Sequence, residues 1–163
     1  MQVEKVAIAS LVYDPANARK HDTKNLEAIK GSLARFGQQK VIVVDKDNVV
    51  VAGNGTLEAA KQLGWTEIEI HRTKLTGTDR AAFAVADNRA GELAAWDDDV
   101  LSKTLESLKL DGFDLSLIGF DNADLIDLGL VNPDFSAAGI EEQGKLDEKK
   151  KIQCPECGHE FTT

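Results

Sequence analysis

Residues 41–71 read VIVVDKDNVVVAGNGTLEAAKQLGWTEIEIH, and this stretch decides the fold. Its first part contains two short apolar runs, at 41–44 and 49–52, which are rich in valine and are separated by polar residues. Valine and isoleucine favour the extended backbone, and Asp47-Asn48 is typical of a tight turn. The first part therefore predicts two neighbouring strands joined by a turn.

The second part begins with Gly53-Asn54-Gly55 and continues as a helix predicted over residues 56–63, then as an alternating strand over 65–71. Glycine lets a backbone approach a ligand closely, and the start of a helix presents unpaired N–H groups with a partial positive charge. This combination suits a phosphate. It also suits a plain tight turn capped by Asn54, and the sequence leaves both interpretations open.

The flanking segments complete the fold prediction. Residues 3–15 predict a strand or a strand pair, and an amphipathic helix is predicted from Asp22 or Thr23 to Phe36. Three further helices are predicted over 80–89, 100–108 and 123–128, the second capped by Asp97 or Asp98 and the third begun at Asp121. Strands with interspersed helices, followed by helices alone, predict an α+β fold: a small mixed sheet with flanking helices and then a helical extension.

Composition divides the chain into a first domain at 1–91, an acidic helical extension at 92–131, a linker at 132–151 and a short tail at 152–163. The net charge is −9. Residues 1–91 carry 13 Lys and Arg against 11 Asp and Glu, whereas 92–134 carry 2 against 11. An acidic segment repels nucleic acid, so any contact with DNA is expected through the first half of the chain or through a partner.

The apolar runs are all far shorter than a membrane span, so no membrane association is expected. The opening MQVEKVAIAS lacks the basic start and long apolar segment of a signal peptide. We therefore expect a cytoplasmic protein.

Two pairs of polar positions carry side chains that suit a nucleotide. Asp87 and Asn88 offer the hard oxygen ligands that Mg²⁺ prefers, and the neighbouring Arg89 can meet a phosphate. Lys40 can bind an anion at the start of a strand, where Gln39 can orient a water molecule. Each group also fits an ordinary solvated loop or helix end.

The order of four segments resembles the N-terminal domain of ParB, which shares its fold with sulfiredoxin. These segments read DPANARKH at 14–21, FGQQKVIVV at 36–44, VVAGNGTLEAAKQLGW at 50–65 and ADNR at 86–89. The continuation, with DLSLIGFD at 114–121, is similar to ParB-like domains of phage and plasmid proteins and of fusions to DNA methyltransferases.

The resemblance implies a ParB/sulfiredoxin-like fold over roughly residues 5–90 and binding of a nucleotide (CTP, ATP or ADP) with Mg²⁺. By position, Gln39 matches the glutamine linked to hydrolysis, Gly53 opens the phosphate motif, and Asp87 matches an acidic metal ligand. The backbone near residues 70–75 would bind the base. The candidate catalytic residues are Gln39 and Asp87, the candidate nucleotide-binding residues are Arg19, Lys40, Gly53, Asn54, Gly55, Thr56 and Arg89, and the candidate Mg²⁺ ligands are Asp87 and Asn88.

The phosphate motif departs from that of the family. In ParB the glycine is followed by Glu-Arg-Arg, whereas Gly53 is followed by Asn54, Gly55 and Thr56. Two cations that would make charge-assisted contacts with a triphosphate are therefore absent. A nuclease is not expected, since Asp87 is the one carboxylate at the matched site and such enzymes gather several.

The leading expectation is a ParB-like nucleotide-binding protein, leaning to an NTPase, that acts in phage or plasmid DNA metabolism. It would lack its own helix-turn-helix, because the corresponding stretch is acidic. One alternative is a non-catalytic adaptor for a DNA-modifying or packaging partner, such as a DNA methyltransferase or another phage protein. Another is an ADP- or ATP-dependent small-molecule kinase, with Glu58 as its base.

The tail reads Cys154-Pro-Glu-Cys157-Gly-His159, which looks like half of a zinc ribbon and predicts a zinc-knuckle-like site. Cys154 and Cys157 can share one Zn²⁺, and His159 is a candidate third ligand. Two copies of the chain would supply four thiolates, which predicts a homodimer. An unmetallated tail is the alternative interpretation.

Overall fold

The computed structural model describes residues 2–132, 151–153 and 155–162 of the chain. Two compact units are distinguished, Met1–Val131 and Asn132–Thr163. The first unit contains a five-stranded mixed sheet and five α-helices, and the described part of the second is a two-stranded hairpin. The predicted α+β class with a small mixed sheet is confirmed.

The strands of the first unit are β1 Val3–Ala7, β2 Val12–Tyr13, β3 Ile42–Val44, β4 Val49–Ala52 and β5 Glu67–Arg72. They form one sheet with the strand order β1-β5-β3-β4-β2. The pair β1 and β5 is antiparallel, β5 and β3 are parallel, β3 and β4 are antiparallel, and β4 and β2 are parallel. Asn48 takes a positive φ of 63° in the turn between β3 and β4, as the Asp-Asn pattern predicts.

The helices begin at side-chain caps where the sequence offers Asp. Asp22 accepts a hydrogen bond from the amide of Asn25, Asp97 from that of Val100, and Asp121 forms a capping box. The helices are α1 Thr23–Phe36, α2 Asn54–Gln62, α3 Gly77–Leu93, α4 Asp98–Leu110 and α5 Asn122–Asp127, with 3-10 turns at Ile8–Ser10 and Leu115–Ile118.

Four predicted helices have different bounds in the structure, and the differences at α2 and α3 move candidate site residues. The helix expected from residue 56 begins at Asn54, because Gly53 takes the N-cap position with a left-handed backbone. Asn54 is therefore the first helical residue and not the cap. The helix expected over 80–89 runs from Gly77 to Leu93, because Ala90, Glu92 and Leu93 favour the helix and offset Gly91. Asp87 and Asn88 consequently lie within α3 and not at its end.

The main core lies between the sheet and the helices α1 and α2. Alternate residues of β5 and β3 point into it, as the period of two predicts. Leu57 of α2 is completely buried, which stabilises the fold by about 1.5–3 kcal/mol. The buried members of this core are Ile8, Leu11, Leu33, Ile42, Val44, Val50, Leu57, Ala59, Ala60, Ile68 and Ile70.

The acidic extension has its own small core, built on Leu105, Leu115 and Leu125. It packs on α1 through a close backbone approach: a Cβ added at Gly31 would lie 2.6 Å from the carbonyl oxygen of Leu117. A side chain larger than hydrogen at this position would push the extension away from α1.

Ion pairs also link α1 to the start of α5, which follows the Leu117 turn in the chain. Lys24 of α1 lies 2.8 Å from an oxygen of Asp121 and 3.0 Å from one of Asp124. The hydrogen bond from Lys24 is the largest cause that lowers the pKa of Asp121 to about 2. Both carboxylates also belong to the α5 cap, so one lysine links the helix start to α1.

In the described part of the tail, β6 Lys151–Gln153 pairs antiparallel with β7 Glu160–Thr162. Gly158 has a positive φ of 73° in the connecting turn, and its carbonyl oxygen accepts a hydrogen bond from the side chain of Gln153. Of the predicted zinc ligands, Cys157 and His159 are exposed, and Cys154 lies outside the described residues. The zinc site stays a prediction.

None of the helices in the described ranges is long and apolar enough to cross a lipid bilayer.

Candidate functional site

A cleft of about 290 Å³ lies between the 14–19 loop, strand β4 and one face of α3. Its floor is Val51, and the small side chains Ala81 and Ala84 of α3 leave the space open. Its polar lining comes from both walls: Asp14, Asn17 and Arg19 from the loop, and Arg80, Asn88 and Glu92 from the helix. Segments that are far apart in the sequence thus meet here.

The position of Arg19 is set by Asn17. The Asn17 side-chain oxygen accepts a hydrogen bond from the Arg19 amide at 3.2 Å, and its nitrogen donates to the Arg19 carbonyl oxygen at 3.0 Å. An asparagine that brackets a residue two positions on is a common turn-forming device. The loop therefore holds the Arg19 backbone while the guanidinium extends to the cleft.

Asn88 and Asp87 are adjacent in α3 but lie in different surroundings. Asn88 lines the cleft, and its side-chain nitrogen donates to the Ala84 carbonyl oxygen at 2.8 Å. That bond leaves the amide oxygen as the atom that can accept or ligate. Asp87 is exposed and is not part of the lining, because successive residues of a helix point about 100° apart.

Arg19 and Arg89 converge on one carboxylate. Nη1 of Arg19 is paired with Oε1 of Glu92, and Nη1 of Arg89 lies 3.0 Å from Oε2 of the same side chain. The hydrogen bond from Arg89 is the largest cause that holds the pKa of Glu92 below its usual range, and the charge of Arg19 adds to it. Glu92 is thus ionised between two guanidinium groups.

The first turn of α3 is attached to the sheet by Arg80. Its Nη2 lies 3.0 Å from the carboxylate of Asp14, and its Nε lies 3.0 Å from that of Asp45 without an aligned hydrogen bond. Burial would raise the pKa of Asp45, but hydrogen bonds from the Val49 and Asp47 amides, together with Arg80, lower it overall. This cluster fixes the side of the cleft opposite to Glu92.

The start of α2, predicted to hold a phosphate, is covered by its neighbours. Asn54 is buried, and its side chain donates to the Val50 carbonyl oxygen at 3.2 Å. Gly55 is buried under the His21 ring, where an added Cβ would lie 2.6 Å from Cε1. Gly53 has a φ of 100° beside Ile42. Neither of these two glycines nor Asn54 lines the cleft.

A separate hollow contains the remaining predicted residues. Gln39, Lys40 and Thr56 line it together with part of α1. The side chain of Gln39 donates to the Phe36 carbonyl oxygen at 2.5 Å, which ties it to the end of α1. Arg19 and Asn88 thus line one cleft, and Arg89 pairs with Glu92 of that cleft. Gln39, Lys40 and Thr56 line a different hollow.

Glu58, the base of the kinase hypothesis, lies elsewhere. It accepts a hydrogen bond from the Tyr13 hydroxyl at 2.5 Å, which is the largest cause that lowers its pKa. In turn, burial first and then this bond raise the pKa of Tyr13. Glu58 is not among the residues that line the cleft, and the kinase hypothesis stays a prediction.

Sequence reasoning missed Arg80 and Glu92. A signal for both was present, because residues 80, 84, 88 and 92 recur every four positions and so share one face of a helix. The prediction of a helix end at residue 89 removed Glu92 from that face. Within the described residues, no cluster of three or more His, Cys, Asp or Glu side chains could hold a metal ion by itself.

No protein-family model matches the chain, and no curated protein matches it in sequence. Among solved structures it is similar to the C-terminally truncated chromosome-partitioning protein ParB from Caulobacter crescentus, complexed with CTP-γ-S. The TM-score is 0.67 at 17% identity, and the likeness covers 78% of this chain and 77% of that chain.

A second likeness is to a pNOB8-like ParB N-domain, with a TM-score of 0.49 at 18% identity; it covers 68% of this chain and 48% of that chain. The fold assignment rests on the Caulobacter structure. At this level of identity the comparison establishes the fold alone, and it confirms the resemblance predicted from the four segments to that extent. The chain therefore has a ParB-like fold.

Proposed function

We propose that the cleft beside α3 binds the phosphates of a nucleotide through Arg19 and Arg89. One observation carries the proposal: the early loop and α3, each singled out by its own sequence motif, contribute Arg19 and Asn88 to the same cleft. Guanidinium groups bind phosphate through paired hydrogen bonds and do not lose their charge. The Caulobacter ParB of the same fold is complexed with CTP-γ-S, which supports this choice of ligand.

The base and sugar would extend into a neighbouring hollow. The cleft of about 290 Å³ is at the small end of ligand pockets, which measure about 300–1,000 Å³. A hollow of about 530 Å³ adjoins it at Arg80, which lines both. Arg72, Thr73 and Leu75 line that hollow, in the segment where the sequence predicts contacts to the base.

A magnesium ion would enter with the nucleotide. Mg²⁺ usually takes one or two protein ligands and fills its other positions with water and phosphate oxygens. The amide oxygen of Asn88, which lines the cleft, suits Mg²⁺ in chemistry, whereas the exposed Asp87 would have to turn toward the cleft to share the ion. Bound there, Mg²⁺ would neutralise phosphate charge, and the protein's own part is to hold the phosphates with Arg19 and Arg89.

The direct test is a calorimetric titration of the full chain with CTP, ATP, ADP and GTP, each with and without Mg²⁺. Arg19→Ala should weaken binding about 10- to 100-fold, because a hydrogen bond to a charged group contributes about 1.5–3 kcal/mol. Arg35→Ala is the matched control, since Arg35 lies over the Phe113 ring outside the cleft. Absence of a binding signal with every nucleotide at millimolar concentration would refute the proposal.

Hydrolysis is a separate part of the proposal. Gln39 would orient the attacking water, and to do so its side chain must leave the Phe36 carbonyl oxygen and reach the cleft from the separate hollow that it lines. Release of inorganic phosphate by the wild type, reduced in Gln39→Ala with nucleotide binding unchanged, would support an NTPase. If Gln39→Ala retained the full rate, Gln39 would have no part in turnover.

The proposed setting is phage or plasmid DNA metabolism, with the chain as a nucleotide-dependent component. DNA contact would come through the first half of the chain, which carries more basic than acidic residues, or through a partner. Comparing DNA retention with and without nucleotide would test this point. If DNA retention were the same with and without nucleotide, DNA binding and nucleotide binding would be independent activities.

A second candidate function, a non-catalytic adaptor, is favoured by an exposed apolar surface. Leu93, Trp96 and Val100 are 70%, 73% and 60% exposed, and Asp97–Asp99 lie between them. Exposed apolar side chains with an acidic surround suit a basic protein partner, such as a DNA methyltransferase. Loss of such a complex in Trp96→Ala, with nucleotide binding intact, would support the adaptor role.

A further inference from the structure

Glu92 occupies the point where the two predicted phosphate-binding arginines meet. Arg19 pairs with one of its oxygens and Arg89 with the other, so both acceptors of the carboxylate are used by cations from different segments. The side chain also lines the cleft. A carboxylate and a phosphate are the two anions that guanidinium groups bind in the same forked geometry.

We infer that Glu92 is an internal competitor for the phosphate and weakens the binding of every phosphate-bearing ligand at this cleft. This inference rests on the proposed nucleotide site. In the free protein the Glu92 carboxylate holds Arg19 and Arg89, and a phosphate group binds by displacing it from both.

The exchange is feasible because the pairs are exposed. The side chains of Arg19, Glu92 and Arg89 are 44%, 43% and 60% exposed, and exposed ion pairs are weak and screened by salt. A terminal phosphate carries more charge than a carboxylate and three acceptor oxygens, so it makes the stronger contact with two arginines.

Displacement affects ligands of different charge unequally. After exchange, the ionised Glu92 remains near the cleft and repels the ligand. The cost of releasing the two arginines is the same for every phosphate, whereas the repulsion grows with the charge of the ligand. Glu92 should therefore weaken the binding of a triphosphate at least as much as that of a monophosphate.

The test compares the full chain with Glu92→Gln by calorimetry, using CTP, CMP and inorganic tripolyphosphate. Glu67→Gln is the matched control: it makes the same chemical change at an exposed glutamate paired with Lys5, far along the sheet from the cleft. Each titration is done with Mg²⁺ and again with EDTA, at low and at high salt.

Glu92→Gln should bind CTP and tripolyphosphate about three- to tenfold more tightly than the wild type, the size expected for removing one exposed like charge. The gain for CMP should be no larger than that for CTP, and both gains should shrink at high salt. Glu67→Gln should stay within about twofold of the wild type, as a surface change outside the site.

Three results would decide against the inference. Equal affinity of Glu92→Gln and Glu67→Gln would show that Glu92 does not compete, with the nucleotide site left intact. If Glu92→Gln bound the nucleotide more weakly than the wild type in the presence of Mg²⁺ but not in EDTA, the Glu92 carboxylate would be a metal ligand instead. Absence of binding in the wild type and in every variant would overturn the proposed function and this inference together.

Discussion

The substitution Gly53→Ala should destabilise the first unit by about 2–5 kcal/mol. Gly53 precedes α2 with φ 100° and ψ 26°, in the left-handed region, which costs a residue with a Cβ about 1–2 kcal/mol. An added Cβ would also lie 2.5 Å from Cγ2 of Ile42, a buried side chain. Relieving such an overlap in a packed core costs about a further 1–3 kcal/mol.

Urea unfolding measures this loss, with the fluorescence of Trp65, which packs against the main core, as the probe. Gly91→Ala in α3 is the matched control, because nothing lies within 4 Å of an added Cβ there. It should stabilise the protein by about 0.5–1 kcal/mol, since alanine is the better helix former. Should Gly53→Ala lose less than about 1 kcal/mol, the argument from the left-handed corner and the Ile42 contact would be wrong.

Three further outcomes are expected. Leu105→Ala should cost about 2–5 kcal/mol by opening a cavity in the acidic extension, measured by thermal unfolding, whereas Leu110→Ala, at an 83% exposed position, should cost little; equal losses would contradict the assigned core. The lowered pKa of Asp45 stabilises the folded state above its unfolded pKa of 3.8, and this stability is lost as the pH falls through the folded pKa. In Asp45→Asn the free energy of unfolding should therefore depend less steeply on pH in the acid range. The same pH dependence as in the wild type would show that Asp45 does not contribute. The pKa of Asp121, about 2, should rise toward 3.8 in Lys24→Met when followed by NMR titration of the carboxyl carbon, and a value that stays near 2 would assign the shift to the α5 cap alone.

The sheet could be predicted from local patterns because its strands are encoded locally. The valine runs, the Asp-Asn turn and the alternation around Ile68 and Ile70 all appear in the structure as strands or turns. The caps of α1, α4 and α5 followed likewise from Asp22, Asp97 and Asp121, since a cap depends on residues within one helical turn.

The site was predicted less completely, because contacts between distant segments have no local signal. The motifs indicated Arg19, Asn88 and Arg89, and the structure places the first two in one cleft. The motif around Gly53 indicated a phosphate site, but the His21 ring lies over Gly55 and Asn54 turns its side chain inward. Whether a helix start can reach a ligand depends on which residues of other segments pack over it.

The amino-acid sequence by itself determined which segments become strands and helices, where the helices with an aspartate cap begin, and that the extension is acidic, because backbone preference, capping and charge act over a few residues. Only the tertiary structure decided that Arg19 and Arg89 meet at Glu92, that Arg80 joins Asp14 to Asp45, and that Gln39 lies outside the cleft. These pairings follow from how the sheet and α3 pack, and electrostatic contact depends on distance in space and not on separation along the chain.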